Sequence, residues 1–349
     1  MSRDTYGDSI LNKILVTGGC GFIGSNWVDR LLARGERVVA FDNLSRHGAV
    51  KNADWLRAKY GAKFELIRAD IRDARALVDA ARDADAIYHF AAQVAVTTSV
   101  TNPRGDFEIN ALGTFNVLEA ARASGRQPIV IYASTNKVYG EMADLAIVEK
   151  ETRFAYRDVS GYGEEQPLDF HSPYGCSKGT GDQYVRDYHR IYGLPTVVFR
   201  QSTIYGTRQF GIEDQGWMAW FIIAAVMGKP ITIYGNGKQV RDMLWVDDLL
   251  DAYDAVTTRI DRVAGQVYNI GGGPRNTISV WAEFAPLLEK LLGKKIPIQR
   301  GDWRPGDQRV CVYDTAKAKR DLGWEPRIDV AKGVEKLYRW VKENRELFA

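Results

Sequence analysis

Cysteine is scarce and builds no framework. The 349 residues hold three, Cys20, Cys176 and Cys311, odd in number and far apart. That spacing excludes a disulfide scaffold and a thiolate metal centre. The four histidines (His47, His89, His171, His189) make no zinc pattern, so no metal is expected. Free thiols in a reducing cytoplasm are the expected state. Charge of one sign is missing too: 47 Lys and Arg against 44 Asp and Glu leave a net charge of +3, too little to argue for nucleic acid. No apolar run is long. The longest, 218–228, falls well short of the ~20 residues a membrane helix needs. The first ten residues, MSRDTYGDSI, are polar and carry acids, the pattern of a loose tail and not of a signal peptide. The expectation is a cytoplasmic protein with no membrane segment.

What is present points to a globular enzyme. The length allows a main domain and a smaller one. Strand-like runs at 13–17, 37–42, 63–69, 86–91, 129–133 and 196–200 alternate with helical patterns over 23–34, 74–81, 107–123 and 174–191. That rhythm predicts an α/β fold: a doubly wound parallel sheet covered on both faces. After Tyr205 the rhythm changes, with glycines and aromatics clustered in Tyr205-Gly206 and Tyr234-Gly235-Asn236-Gly237. The division expected is a tail over 1–10, a dinucleotide-binding domain over 11–204 and a smaller, loop-rich lobe over 205–349. The boundary is expected to interleave, with about 240–262 returning to the main domain through a helix at 245–258. Ligands of such sheets bind beyond the carboxyl ends of the strands.

The first strand ends in Thr17-Gly18-Gly19-Cys20-Gly21-Phe22-Ile23-Gly24 and a helix follows. Two frames fit, Gly19-x-Gly21-x-x-Gly24 and Gly18-x-x-Gly21-x-x-Gly24. Glycine lets the backbone approach a pyrophosphate, and the helix amino terminus offers free N–H groups. The next strand ends in Asp42, whose carboxylate suits the adenosine ribose hydroxyls and repels a 2′-phosphate. NAD is therefore expected over NADP, although Arg46 lies close enough in sequence to pair with such a phosphate. Asp70 ends the third strand and fits either an adenine contact or a helix cap before 71–75.

Tyr174-Gly175-Cys176-Ser177-Lys178 places a phenol and an ammonium on one helix face. A nearby ammonium is expected to lower the tyrosine pKa and make Tyr174 a general acid–base. Ser134-Thr135 ends an earlier strand, where a hydroxyl can bond to a substrate hydroxyl under oxidation.

This set of residues resembles the extended short-chain dehydrogenase/reductase (NAD-dependent epimerase/dehydratase) family over about 13–336. The resemblance implies a Rossmann domain with a carboxyl-terminal nucleotide-sugar lobe and a Thr135–Tyr174–Lys178 triad. It implies a tightly bound, recycled NAD. The expected cofactor contacts are Gly18, Gly21, Phe22, Ile23, Gly24, Asp42, Asn43, Ser45, Arg46, Asp70, Ile71, Ala91, Ala92, Gln93, Tyr174 and Lys178. Asn110, in Asn110-Ala111-Leu112-Gly113-Thr114, matches the family's helix asparagine near the active site; helix packing explains it equally well.

Several segments resemble the CDP-paratose 2-epimerase (CDP-tyvelose epimerase) branch: Ser134-Thr135-Asn136-Lys137-Val138-Tyr139-Gly140, the stretch 169–179, Asp214-Gln215-Gly216-Trp217 and the stretch 235–242. This implies inversion of carbon 2 of a CDP-linked dideoxyhexose, or of a related nucleotide-linked glucose, through a transient keto-sugar. Sugar-nucleotide 4,6-dehydratases carry Asp-Glu after the threonine; here Asn136-Lys137 offers no carboxylate, so elimination is disfavoured. Thr203 stands where many relatives have asparagine. The resemblance also implies substrate contacts from Asn136, Thr203, Gln209, Arg241 and Arg304, the two arginines on the pyrophosphate, with help from Arg309. Phe210 and Trp217 fit either the nucleotide pocket or the core. A homo-oligomer, dimer or tetramer, is expected. Other readings are a 4-epimerase, a net NAD-dependent nucleotide-sugar dehydrogenase, and a non-catalytic NAD sensor. An intact acid–base triad argues against the last.

Overall fold

The computed structural model describes residues 11–304 and 307–349; the expected tail over 1–10 lies outside them. The main sheet has seven parallel strands. In chain order they are β1 (Ile14–Thr17), β2 (Val38–Phe41), β3 (Glu65–Ile67), β4 (Ala86–His89), β5 (Ile129–Thr135), β6 (Thr196–Gln201) and β7 (Val267–Ile270). Their spatial order is β7-β6-β5-β4-β1-β2-β3, so the chain switches direction between β1 and β4, where open α/β sheets bind their ligands.

Every residue of β1 is buried, with Ile14 and Val16 in one core and Leu15 in the other. Alternation along the strand thus feeds two faces, and each face needs helices. Helix α1 (Phe22–Ala33) begins directly after the glycine loop. Helix α2 (Ala49–Tyr60) follows β2, and α3 (Ala74–Ala81) is capped by Asp73, whose side chain accepts the Ala76 N–H. Helix α4 (Gly113–Ala123) is entered through a π-turn, Glu108–Leu112. Helix α5 (Ser172–Tyr192) starts with Pro173 in its first turn and stops at Gly193 in the left-handed region.

After β6 the chain leaves the main sheet and comes back twice. Helix α6 (Val246–Thr257) packs on α1, and β7 pairs with β6. Arg30 on α1 bonds to Asp251 and Asp254 of α6. The strand Val240–Trp245 holds the second lobe together, pairing with Thr203–Tyr205, Thr277–Ser279 and Val310–Cys311. No helix among the described residues is long and apolar enough to cross a membrane.

Candidate active site

Why the loop after β1 needs glycine can be read from its spacing. Gly18 has φ +68, and a Cβ there would lie 2.7 Å from the Ala91 nitrogen. A Cβ on Gly24 would lie 2.0 Å from the Gly18 carbonyl oxygen. Gly19 instead packs on Ala40. Gly18, Gly21 and Gly24 line a cleft at the carboxyl ends of the strands and Gly19 does not, so Gly18-x-x-Gly21-x-x-Gly24 is the working frame.

Asp42 is buried beside this loop. It accepts the Cys20 N–H at 2.9 Å and the Leu44 N–H at 2.8 Å. Burial raises its pKa and these backbone donors pull it down. A carboxylate so fixed at the end of β2, beside a cradle that a Cβ would fill, fits the ribose end of NAD. Phe22, Ile23, Asn43, Ser45, Arg46, Asp70, Ile71, Ala91 and Ala92 line the same cleft.

One expectation, the helix cap at Asp70, needs correction here. Asp70 caps no helix; α3 starts at Ala74 under Asp73. Asp70 accepts from Arg72 and Asn43, and these bonds lower its pKa to about 2. Gln93 does not line the cleft. Its amide is engaged by Ala95 and Asp106, and its backbone by Asn110. Arg46 stays in the cleft lining, bonding to Gln215 and lying close enough to Tyr174 to favour its phenolate.

The reaction centre joins β5 to α5. The Thr135 hydroxyl lies close enough to the Tyr174 hydroxyl to favour its phenolate, and itself donates to the Asn136 side-chain oxygen at 3.2 Å. Ser134, its neighbour, points elsewhere and donates to Asp182 at 2.8 Å. Lys178 is buried, donates to the Ala133 carbonyl at 2.6 Å and stands 4.2 Å over the Tyr132 ring. Asn110 donates to the Ser177 hydroxyl at 3.1 Å and so fixes α5 between Tyr174 and Lys178. It is a positioning residue.

The expected lowering of the tyrosine pKa is not found. Burial pushes the Tyr174 hydroxyl up to about 12; the Thr135 hydroxyl and Arg46 pull the other way. Lys178 loses its own charge readily, because burial brings it down to about 7. Spacing put the pair on one face, and burial dominates the pKa of each. A stability effect follows. Between pH about 7 and the ordinary lysine value of 10.5, the unfolded chain holds a proton at Lys178 that the folded one lacks. Stability therefore rises with pH across that window. In cofactor-free protein, Lys178→Met should shrink the gain in urea midpoint between pH 7 and 9; an unchanged gain would remove the depressed lysine from the account.

The expected substrate residues are less gathered. Gln209 lines the cleft. Asn136 donates to Gln308 at 3.2 Å and to the Cys311 sulfur at 2.9 Å, and Lys137 donates to the same Gln308 oxygen at 3.2 Å. Thr203 sits opposite Met243 in the second-lobe sheet, outside the cleft lining. Arg241 pairs with Asp307 at 2.6 Å and Arg304 with Asp214 at 3.0 Å. Arg304 also stacks on Tyr234, and Arg309 on Phe154. Phe210 lines the cleft while Trp217 packs on Phe221 and Phe284. Arg208 lines the cleft and gave no sequence signal, and Gln215, noted in sequence only as part of a matching segment, lines it too; both sit in irregular chain.

The family profile described as GDP-mannose 4,6-dehydratase matches residues 15–337. A CDP-paratose 2-epimerase of Salmonella typhi is 45% identical over 337 residues, 94% of this chain and 98% of its own. Among solved structures, a dTDP-glucose 4,6-dehydratase double mutant of Streptomyces venezuelae with NAD bound superposes with a TM-score of 0.81 at 30% identity, covering 95% of this chain and 98% of its own. A UDP-glucose 4-epimerase of Thermus thermophilus in complex with NAD gives 0.79 at 31%, covering 95% and 99%.

Proposed function

This chain belongs to the NAD-dependent epimerase/dehydratase family of extended short-chain dehydrogenases/reductases, and on that premise we propose that it is a nucleotide-sugar 2-epimerase converting CDP-paratose to CDP-tyvelose. The observation that carries an epimerase reading is the Thr135–Tyr174 hydroxyl pair beside Lys178, with Asn136-Lys137 following where elimination would need carboxylates. Carbon 2 and the CDP group are supported by the relative at 45% identity and by the matching segments around Thr135 and Tyr174.

Gly18, Gly21, Gly24 and Asp42 would hold NAD. When bound, NAD supplies the hydride acceptor, and in reduced form the donor, so turnover is redox-neutral. Tyr174 takes the proton of the sugar hydroxyl under oxidation and returns it to the keto-sugar oxygen. Thr135, whose hydroxyl lies beside that of Tyr174, orients the sugar hydroxyl. Lys178, fixed by Ala133, faces the same helix side and steadies the phenolate. The second lobe, taken as 205–349, brings Arg241 and Arg304 to the substrate pyrophosphate once Asp307 and Asp214 give way. The free cysteines suit a reducing cytoplasm.

A self-association face supports a homo-oligomer. Phe107, Phe115, Tyr184 and Ile191 are exposed by 57%, 38%, 46% and 65% on or beside α4 and α5. Phe115 and Tyr184 already meet edge to face at 5.9 Å, so these two exposed rings form one apolar surface. Sedimentation should show a dimer or tetramer, and Phe115→Asp with Tyr184→Asp should shift it toward monomer. A wild-type monomer at micromolar concentration would reject this face.

The functional test uses purified protein with CDP-paratose, and separately CDP-, UDP- and GDP-glucose, with proton NMR on the sugar and absorbance on NADH. A carbon-2 epimer without net NADH is expected with CDP-paratose. Inversion at carbon 4 would keep the family and reject the carbon-2 reading; stoichiometric NADH would make the protein a dehydrogenase.

A further inference from the structure

A second cavity, of ≈ 670 Å³, opens behind the carboxyl half of α5 and shares no lining residue with the cofactor cleft. Its size falls within the ~300–1,000 Å³ of small-molecule sites. Arg186 and Arg190 reach it from one face of α5, one turn apart. Lys317 reaches it from the helix Ala316–Leu322 on the opposite wall.

Among the described residues none of these three cations makes a direct ion pair, although Glu164 and Asp321 act on Lys317, and Asp182 on Arg186, from further away. Arg186 bonds at one terminal nitrogen to Gln183, and its Nε is buried with no partner. Buried donors are rarely left so. Lys317 donates to the Gln266 side chain at 3.0 Å and the Val267 carbonyl at 2.8 Å, neutral acceptors both.

The remaining charged groups around the cavity are already engaged or leave the floor open. Arg200 holds Asp182, and Arg320 holds Asp321. Glu164 accepts the Asn269 N–H at 2.7 Å, and burial raises its pKa. Glu164 and Glu165 both line the cavity, and Glu164 is near enough to Lys317 to strengthen its hold on the proton, which leaves the arginine side of the cavity as the anion's seat. The His189 ring is tied to the Leu194 carbonyl at 2.9 Å. Arg186 and Arg190 carry like charge on one helix face, and burial together with the nearby Arg190 weakens the hold of Arg186 on its proton. An anion between them would relieve that repulsion and fill the Nε site, and a guanidinium fork fits phosphate oxygens.

We propose that this cavity binds a small phosphate-bearing anion through Arg186, Arg190 and Lys317, apart from the cofactor and substrate sites. A free pyrophosphate and a nucleoside diphosphate share that chemistry.

The test is calorimetric titration of inorganic pyrophosphate, and in a parallel arm ADP, into full-length protein saturated with NAD. Besides binding at the substrate pyrophosphate site, which Arg241→Gln weakens, one further site is expected, weakened about 10-fold or more by Arg186→Gln with Arg190→Gln. Lys317→Gln, on a different element, should weaken it as well, which guards against a local folding defect in α5. Arg241→Gln should leave it in place. Tighter binding of ADP than of pyrophosphate would assign a nucleotide, and equal binding the phosphates alone. Absence of this further site in the wild type, or its loss in Arg241→Gln with retention in the α5 double variant, would overturn the proposal.

Discussion

Tyr174→Phe should cut turnover by about 10³-fold, within the range that a positioned acid–base contributes, while NAD binding and the fold persist. The substitution removes one oxygen. The ring stays buried, so its packing between β5 and α5 is kept. What disappears is the hydroxyl beside Thr135, the group proposed to carry the sugar proton. Steady-state rates with the accepted nucleotide sugar, together with NAD titration of the variant, check this. Near-normal turnover would assign the proton to another residue. Loss of NAD binding in parallel would mean the ring positions the cofactor and that the rate effect is indirect.

The largest stability effect is expected at Asp182, one turn beyond Lys178 on α5. Its side chain is fully buried and so is that of Arg200, which it clasps through both oxygens at 2.9 and 3.0 Å. Ser134 adds a third bond to the same carboxylate, and Arg200 reaches on to the Tyr139 hydroxyl at 2.9 Å. Asp182→Ala would leave the guanidinium buried without a counter-charge, a loss of about 3–5 kcal/mol. Urea unfolding of the NAD-bound protein measures it. Adding Arg200→Met should recover most of the loss, because the pair as a whole adds much less than the orphaned charge removes. A loss below about 1 kcal/mol would show that water reaches Arg200.

Much of this architecture was legible because it is periodic and local. Six of the seven main strands and the helices around them announce themselves by alternating apolar runs. The glycine loop, Asp42 and the Tyr174–Lys178 spacing all sit at ends of those elements. What escaped depended on distance. Strand β7 has four residues and enters the sheet only after an excursion of more than sixty residues through the second lobe, so nothing beside it in sequence marks it. Helix α2 buries only Ala49, Asn52, Ala53 and Leu56, too few apolar positions to set a clear stripe.

At the site the same division holds. The order Thr135, Tyr174, Lys178 carried the chemistry, whereas the pKa of Tyr174 depends on burial, which spacing does not express. Asp307 and Asp214, which hold the two arginines expected on the substrate, come from separate loops. Ser134 and Thr135 are alike in sequence, and only the strand's alternation sends one to Asp182 and the other to Tyr174.

The account's central claim is that one carbon is oxidised and then reduced on its other face. The direct measurement is epimerisation of CDP-paratose in deuterium oxide, followed by proton NMR. Hydrogen removed as hydride and returned does not exchange with water, so the product should keep protium at carbon 2. Deuterium at that carbon would mean the hydrogen left as a proton, and would contradict the roles given to Tyr174, Thr135 and Lys178.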